Sequence, residues 1–301
     1  MPIANLAIFD LDSPPANFWT AWSFPLLPFL VLTTMLVLYV AGWRAAHRTR
    51  PRQLPPWRAV CFVAGIVSLW IAIASPIDAL DDYLLAAHMI QHFILMSIAP
   101  PLIVLGAPAV PLLRGLPRFL IRFPVGPLLR ARWFHAVSRF VTHPVTAWLA
   151  MNIAFLGWHV PAMFELTFQS ERIHNFEHLC FLLTSIAFWW VVIAPWPSQP
   201  RWPRWAVIPY LLTADLVNTV LSATLAFSGK VLYPSYAAAP RITALSPLKD
   251  QAAAGAEMWV LNSVVFLIPA VAVTMKLLTP KALRTASSPA GRNRNAGAPI
   301  A

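Results

Sequence analysis

The segment AHMIQHFILMSIAPPLIVLG, residues 87–106, decides how this chain is read. It is apolar along its length, and about 20 such residues in a helix cross a hydrocarbon core roughly 30 Å thick. Yet it carries His88 and His92. Four residues apart on a helix, the two imidazoles share one face and lie about 6 Å from each other. Ionisable rings are costly inside a bilayer, so where they occur they point to a site. A second pair, His174 and His178 with Glu177 between them, repeats the pattern further along.

Composition supports lipid as the solvent. Of 301 residues, 58% are hydrophobic and only 11% charged, against roughly 25% charged in a soluble domain. The mean hydropathy is +0.64. A formal charge of +11 would suggest nucleic acid in a soluble protein. Here no basic, aromatic soluble module is left over to bind it, so nucleic acid is excluded as a partner. The two cysteines, Cys61 and Cys180, form no C-x-x-C pair. On the topology below they fall in opposite halves of the membrane, beyond the ~7 Å reach of a disulfide.

Seven apolar runs follow one another at roughly 22–43, 58–76, 84–106, 144–163, 173–195, 205–227 and 256–278. The first run is preceded by Asp10 and Asp12, has no basic start, and is followed by Arg44, Arg48, Arg50, Arg52 and Arg58. That order is the reverse of a secretory signal and predicts an uncleaved span with its N-terminus outside. Alternating sides from there puts 18 of the 22 Lys and Arg residues, and none of the 11 acidic ones, in inner segments. The bias is that of cytoplasmic loops. The expected fold is therefore all-α, an integral membrane bundle of seven transmembrane helices with the N-terminus outside and the C-terminus inside. Residues 1–20 would be a periplasmic segment, 21–280 the transmembrane domain and 281–301 a disordered cytoplasmic tail. The segment 114–143, with six arginines among Phe119, Leu120, Trp133 and Phe134, reads either as an amphipathic element along the headgroups, interrupted at Pro124 and Pro127, or as a solvated basic loop.

At about 1.5 Å per residue, this topology sets the depth of each polar residue. His88, His92, His159, His174, Glu177 and His178 gather in one outer layer, from three different spans, with Glu257 at the mouth of the seventh and Asp250 just outside it. His47, His135 and His143 lie among arginines on the inner side. Neutral imidazole and carboxylate are ligands for copper, zinc and iron. A histidine pair at i, i+4 presents two of them to one ion, and Glu177 is either a ligand or the group that orients an imidazole. Met89, Met96, Met163 and Met258 stand near these histidines, which favours copper while leaving zinc and iron open. Mid-span, Asp215 serves either a proton or ion path or a hydrogen bond to a neighbouring helix. Asn152 and Asn262 should pair between helices. Residues 99–101 (APP) should kink or end the third helix, and Trp189 and Trp190 should stand in an interfacial belt.

The runs AHMIQHFILMSIAPPLIVLGAP (87–108), FLGWHVPAMFE (155–165), RIHNFEHLCFLLTSIAFWWVVI (172–193) and LSPLKDQAAAGAEMW (245–259) resemble the polytopic CtaG family of cytochrome c oxidase assembly factors. The resemblance extends over about residues 20–280, with its H-x-x-x-H, W-H-x-P and H-x-x-E-H elements in order. It implies a multi-pass protein of the bacterial plasma membrane that helps mature haem-copper oxidase, with oxidase subunits as partners and copper as the metal handled. The family's histidine positions fall on His88, His92, His159, His174 and His178, with Glu177 and the Asp250–Gln251 pair alongside. Glu257 departs from the family's apolar, glycine-rich pattern before Met258 and Trp259. An unrelated single-span, cysteine-bearing copper chaperone shares the family name; seven spans without a cysteine pair do not match it.

Three functions compete on these residues. The first is a non-enzymatic assembly factor that binds copper near the outer face and releases it to an oxidase. The second is a di-iron membrane oxidase, which needs about eight histidines on the cytoplasmic side. The third is a haem protein or ion transporter using paired histidines or Asp215.

Overall fold

A computed structural model describes residues 20–279. The expected N-terminal segment up to residue 19 and the expected tail at 281–301 lie outside the described residues. Every regular element among the described residues is helical. Helix α1 is Leu26–Thr49, α2 Pro56–Ala74 and α3 the short Pro76–Asp81. Next come α4, Leu85–Leu105, and α5, Ala109–Gly115. Residues 118–130 form α6, and Arg132–Val141 is α7. Helices α8 (Pro144–Trp158), α9 (Pro161–Gln169), α10 (Glu171–Ile193), α11 (Val207–Phe227), α12 (Pro234–Ala238) and α13 (Pro247–Leu278) complete the chain.

Proline at a first helical position loses no intrahelical hydrogen bond. Pro56, Pro76, Pro144, Pro161, Pro234 and Pro247 all start helices in this way. That is how thirty prolines coexist with an all-helical chain. Six helices are long and apolar enough to cross a membrane: α1, α2 with α3, α4, α10, α11 with its lead-in turn, and α13. The expected fourth span is shorter than its apolar run. Helix α8 stops at Trp158, because Pro161 removes the N–H that would continue it, and at 15 residues it is about 22 Å long. It meets α7 at a bend of 63°.

Four expectations are corrected. The helix that carries the seventh apolar run begins at Pro247, about two and a half turns before the run itself, with Ser246 capping at Lys249 N–H; the polar residues of that extension, Asp250 and Gln251, are buried in bonds to other elements. Of the two readings of APP, an end to α4 is the one overturned: a surplus residue is absorbed as a π-turn at Ile94–Ile98 and the α-helix resumes at Ala99. Pro124 and Pro127 do not break 118–130, because a second π-turn, Ile121–Val125, takes in the ring of Pro124; the breaks fall at Pro117 and Ala131. Trp189 is not in an interfacial belt. It is buried, and its indole N–H donates to Met96 O at 3.0 Å, a carbonyl within the π-turn.

Two layers of packing result. Leu95, Ala99 and Ile103 on the lower part of α4 join Phe62, Ile66 and Leu69 of α2 and Tyr39 of α1. Leu85, Met89 and Met96 join the larger cluster from α8, α10, α11 and α13. Helices α11 and α13 cross at Gly255, where a Cβ would lie 2.6 Å from Ala226 N, so only glycine permits that approach. Beneath the site, Ser97 Oγ donates to Asn262 Oδ1 and Asn262 Nδ2 donates to Asn218 Oδ1 at 3.2 Å, tying α4, α13 and α11 together. Asn262 thus pairs between helices as expected, whereas Asn152 bonds its own helix at Trp148 O. Asp215 accepts from Ser263 Oγ at 2.8 Å, an interhelical bond. Both cysteines are free.

Candidate metal centre

His88 and His92 stand in the first turns of α4, His174, Glu177 and His178 in those of α10, and His159 caps the end of α8. The chain brings these helix ends together with hydrogen bonds rather than apolar packing alone. Asp250 on α13 accepts from Leu85 N–H at 2.8 Å and Ala86 N–H at 3.2 Å, capping α4 from another helix. Gln91 donates to Ala72 O at 2.8 Å and Asp78 Oδ1 at 2.9 Å, fixing α4 against α2 and α3.

The imidazoles then form a four-membered ring. His88 and His92 are 4.2 Å apart between centroids, His174 and His178 4.2 Å, His88 and His174 5.3 Å, and His92 and His178 5.5 Å. Glu177 Oε1 is 3.7 Å from His92 Nε2. Among the described residues, three overlapping sets offer one ligand atom each, all within 4.8 Å: His88, His92 and Glu177; His174, Glu177 and His178; and Asp81, His88 and His174.

Asp81 joins the site without any sequence spacing to single it out. It closes α3, with Oδ2 at 3.8 Å from His174 Nε2. The acidic run at Asp78, Asp81 and Asp82 just before the third span is the one signal that points to it. His159 stands to one side, 5.8 Å from His92, with Nδ1 on Phe155 O at 2.7 Å and Nε2 facing Met89 Sδ at 3.4 Å. The Asp250–Gln251 pair is committed elsewhere. Gln251 accepts from Leu232 N–H at 2.7 Å and donates to Ser228 Oγ at 2.8 Å, pinning the segment after α11.

That segment roofs the site. Phe164 lies 5.1 Å from His88 and stacks on Tyr233 at 4.1 Å; Tyr236 lies 6.4 Å from His88. Tyr236 O–H donates to Asp81 O at 2.6 Å and Tyr233 O–H to His159 O at 3.0 Å. Burial, then the carboxylates of Asp81, Asp82, Asp250 and Glu177, push the Tyr236 phenol well above its ordinary range, so it remains a donor.

Unpaired polar atoms are concentrated here. His88 Nε2, both ring nitrogens of His92, His174 Nε2, His178 Nε2, Asp81 Oδ2 and both carboxylate oxygens of Glu177 are buried without a hydrogen-bond partner. Each such group costs about 1–3 kcal/mol, and such groups are rare in folded proteins. So many gathered in one cluster fit a cation, with a donor set of imidazole and carboxylate suited to copper, zinc or iron.

The sequence model of the cytochrome c oxidase caa3 assembly factor family matches residues 37–279. Curated relatives include uncharacterised proteins of Mycobacterium bovis and Mycobacterium tuberculosis, each 27% identical over 283 residues, 90% of this chain and 41% of the relative. One from Mycobacterium leprae is 28% identical over 218 residues, covering 71% of this chain and 32% of its own. The chain thus spans less than half the length of these relatives. No solved structure matches.

Proposed function

Since the chain belongs to the cytochrome c oxidase caa3 assembly factor (CtaG) family, we propose that it holds copper at the His88–His92–His174–Glu177–His178 cluster and delivers it to a subunit of haem-copper oxidase. The observation that carries this reading is Glu177. It is fully buried, both its oxygens are unpaired, and four imidazoles surround it. A delivered ion must be bound and then released. A site close beneath one membrane surface, with more candidate ligands than a four-coordinate ion takes, suits exchange of ligands one at a time. Imidazole with nearby thioether favours copper over the harder divalent ions.

On this reading the protein crosses the bacterial plasma membrane seven times, N-terminus outside and C-terminus inside. Helix α8 serves as the fourth span, and the cluster lies beneath the periplasmic surface. The arginines of 114–139 then face the anionic inner leaflet. The role is that of a carrier and not of an enzyme.

The test is metal analysis of the purified protein. Wild type should retain copper without iron or a Soret band. His88→Ala and His178→Ala should each lose most of it, while His47→Ala, whose ring binds Leu54 O, should not. Wild-type copper in all three variants would overturn the assignment. Copper-dependent co-purification of an oxidase subunit would identify the client.

A further inference from the structure

His159 and Met89 meet in a way that neither protein packing nor hydrogen bonding explains. Phe155 O, 2.7 Å from His159 Nδ1, can only accept, so Nδ1 carries the proton and the neutral ring presents a lone pair at Nε2. That lone pair faces Met89 Sδ at 3.4 Å, and a thioether has no proton to give. Two acceptors therefore oppose each other, with His159 only 3% exposed and Met89 1%. Tyr233 O–H fixes the backbone of His159 from above, and the Phe155 carbonyl fixes its ring from below, so the arrangement is held.

Met89 also lines a cavity of about 20 Å³, room for one water-sized sphere, whose other walls include His92, Met96 and Met258. The hydroxyl and amides in that wall are engaged elsewhere, since Ser97, Asn262 and Asn218 bond one another and Asn152 donates to Trp148 O, which leaves His92 as the unpaired polar side chain there. Four buried thioethers, Met89, Met96, Met151 and Met258, and the His92 imidazole thus border one small space, and His159 meets it through Met89.

We propose that Met89 Sδ and His159 Nε2 form a second, softer position that takes monovalent copper beside the histidine–glutamate cluster, resting on the copper reading above. Ligands about 2.1 and 2.3 Å from an ion and 3.4 Å from each other subtend roughly 100° at it, near the tetrahedral value. Thioether with imidazole selects Cu(I) over Zn(II). His92 belongs to both the cluster and the cavity wall, and its ring lies 5.8 Å from that of His159, so the two positions adjoin.

The experiment uses the full-length protein in detergent, loaded anaerobically with Cu(I) for X-ray absorption and titrated with Ag(I) as a redox-inert probe. Met89→Leu keeps the side-chain volume; Met163→Leu, at an exposed methionine, is the control, and circular dichroism checks that both fold. Wild type and Met163→Leu should show sulfur scattering at copper. Met89→Leu should lose it and bind Ag(I) at least about tenfold more weakly, with nitrogen scattering from the cluster retained. Sulfur scattering that survives Met89→Leu, or copper with nitrogen and oxygen neighbours alone in wild type, overturns this position and leaves the cluster standing. A wild type that takes up no copper overturns the copper reading and this position together.

Discussion

Glu177 Oε1 stands 3.7 Å from His92 Nε2, one residue on α10 and the other on α4, and neither atom has a hydrogen-bond partner. Two helices thus present a buried acceptor and an imidazole to the same space. A structural ion pair would close to hydrogen-bond distance and satisfy the remaining lone pairs; this one does neither.

Glu177→Gln should therefore weaken copper retention by about 10–100-fold without lowering the thermal midpoint of the metal-free protein. Metal analysis and a thermal melt in detergent check both halves. A lower metal-free midpoint with unchanged copper would mark Glu177 as a structural group.

Asp250→Ala removes the carboxylate that caps α4 from α13. Losing a helix cap costs about 0.5–2 kcal/mol, and here the freed Leu85 N–H is buried. We expect a lower melting midpoint, together with weaker copper binding because His88 sits one turn further along the loosened helix. Asp250→Asn, which keeps one acceptor, should lie between the two.

Trp189→Phe deletes the donor to Met96 O in the π-turn while keeping an aromatic ring in the core. The orphaned carbonyl should cost about 1–3 kcal/mol, read as a shift in denaturation midpoint. A neutral outcome would mean that the π-turn carbonyl has found another partner.

Charge bias gives the topology its own check. A reporter active only in the periplasm should be silent when fused after Pro197 and active when fused after Lys230. The opposite pattern would invert the bundle and place the histidine cluster beneath the cytoplasmic surface.

Much of the site is legible in the chain itself. Helical periodicity alone puts His88 with His92 and His174 with His178, and hydropathy finds all six long helices. The hidden parts depend on relations between helices. Asp81 reaches His174 only because α3 ends against the start of α10, and no local spacing encodes that. Asp250 looks like a loop residue by hydropathy, and its buried role appears only once α13 is known to begin at Pro247, ahead of the apolar run. Trp189 misleads because a tryptophan near the end of an apolar run fits an interfacial belt equally well. The partner that pulls it inward is the Met96 carbonyl, which Pro100 and Pro101, four and five residues on and without an N–H, leave with no intrahelical donor.

That surplus residue in Ile94–Ile98 sets the phase of α4. Each added residue rotates the rest of the helix by about 100°, so the half bearing His88 and His92 is indexed to α10 and α13 while Ala99 and Ile103 are indexed to α2. Excising one residue from the bulge would straighten the helix and swing the imidazoles away from Glu177, leaving the sequence of every ligand intact. The gauge of this centre is thus kept by a stretch of ordinary aliphatic residues that touches no ion at all.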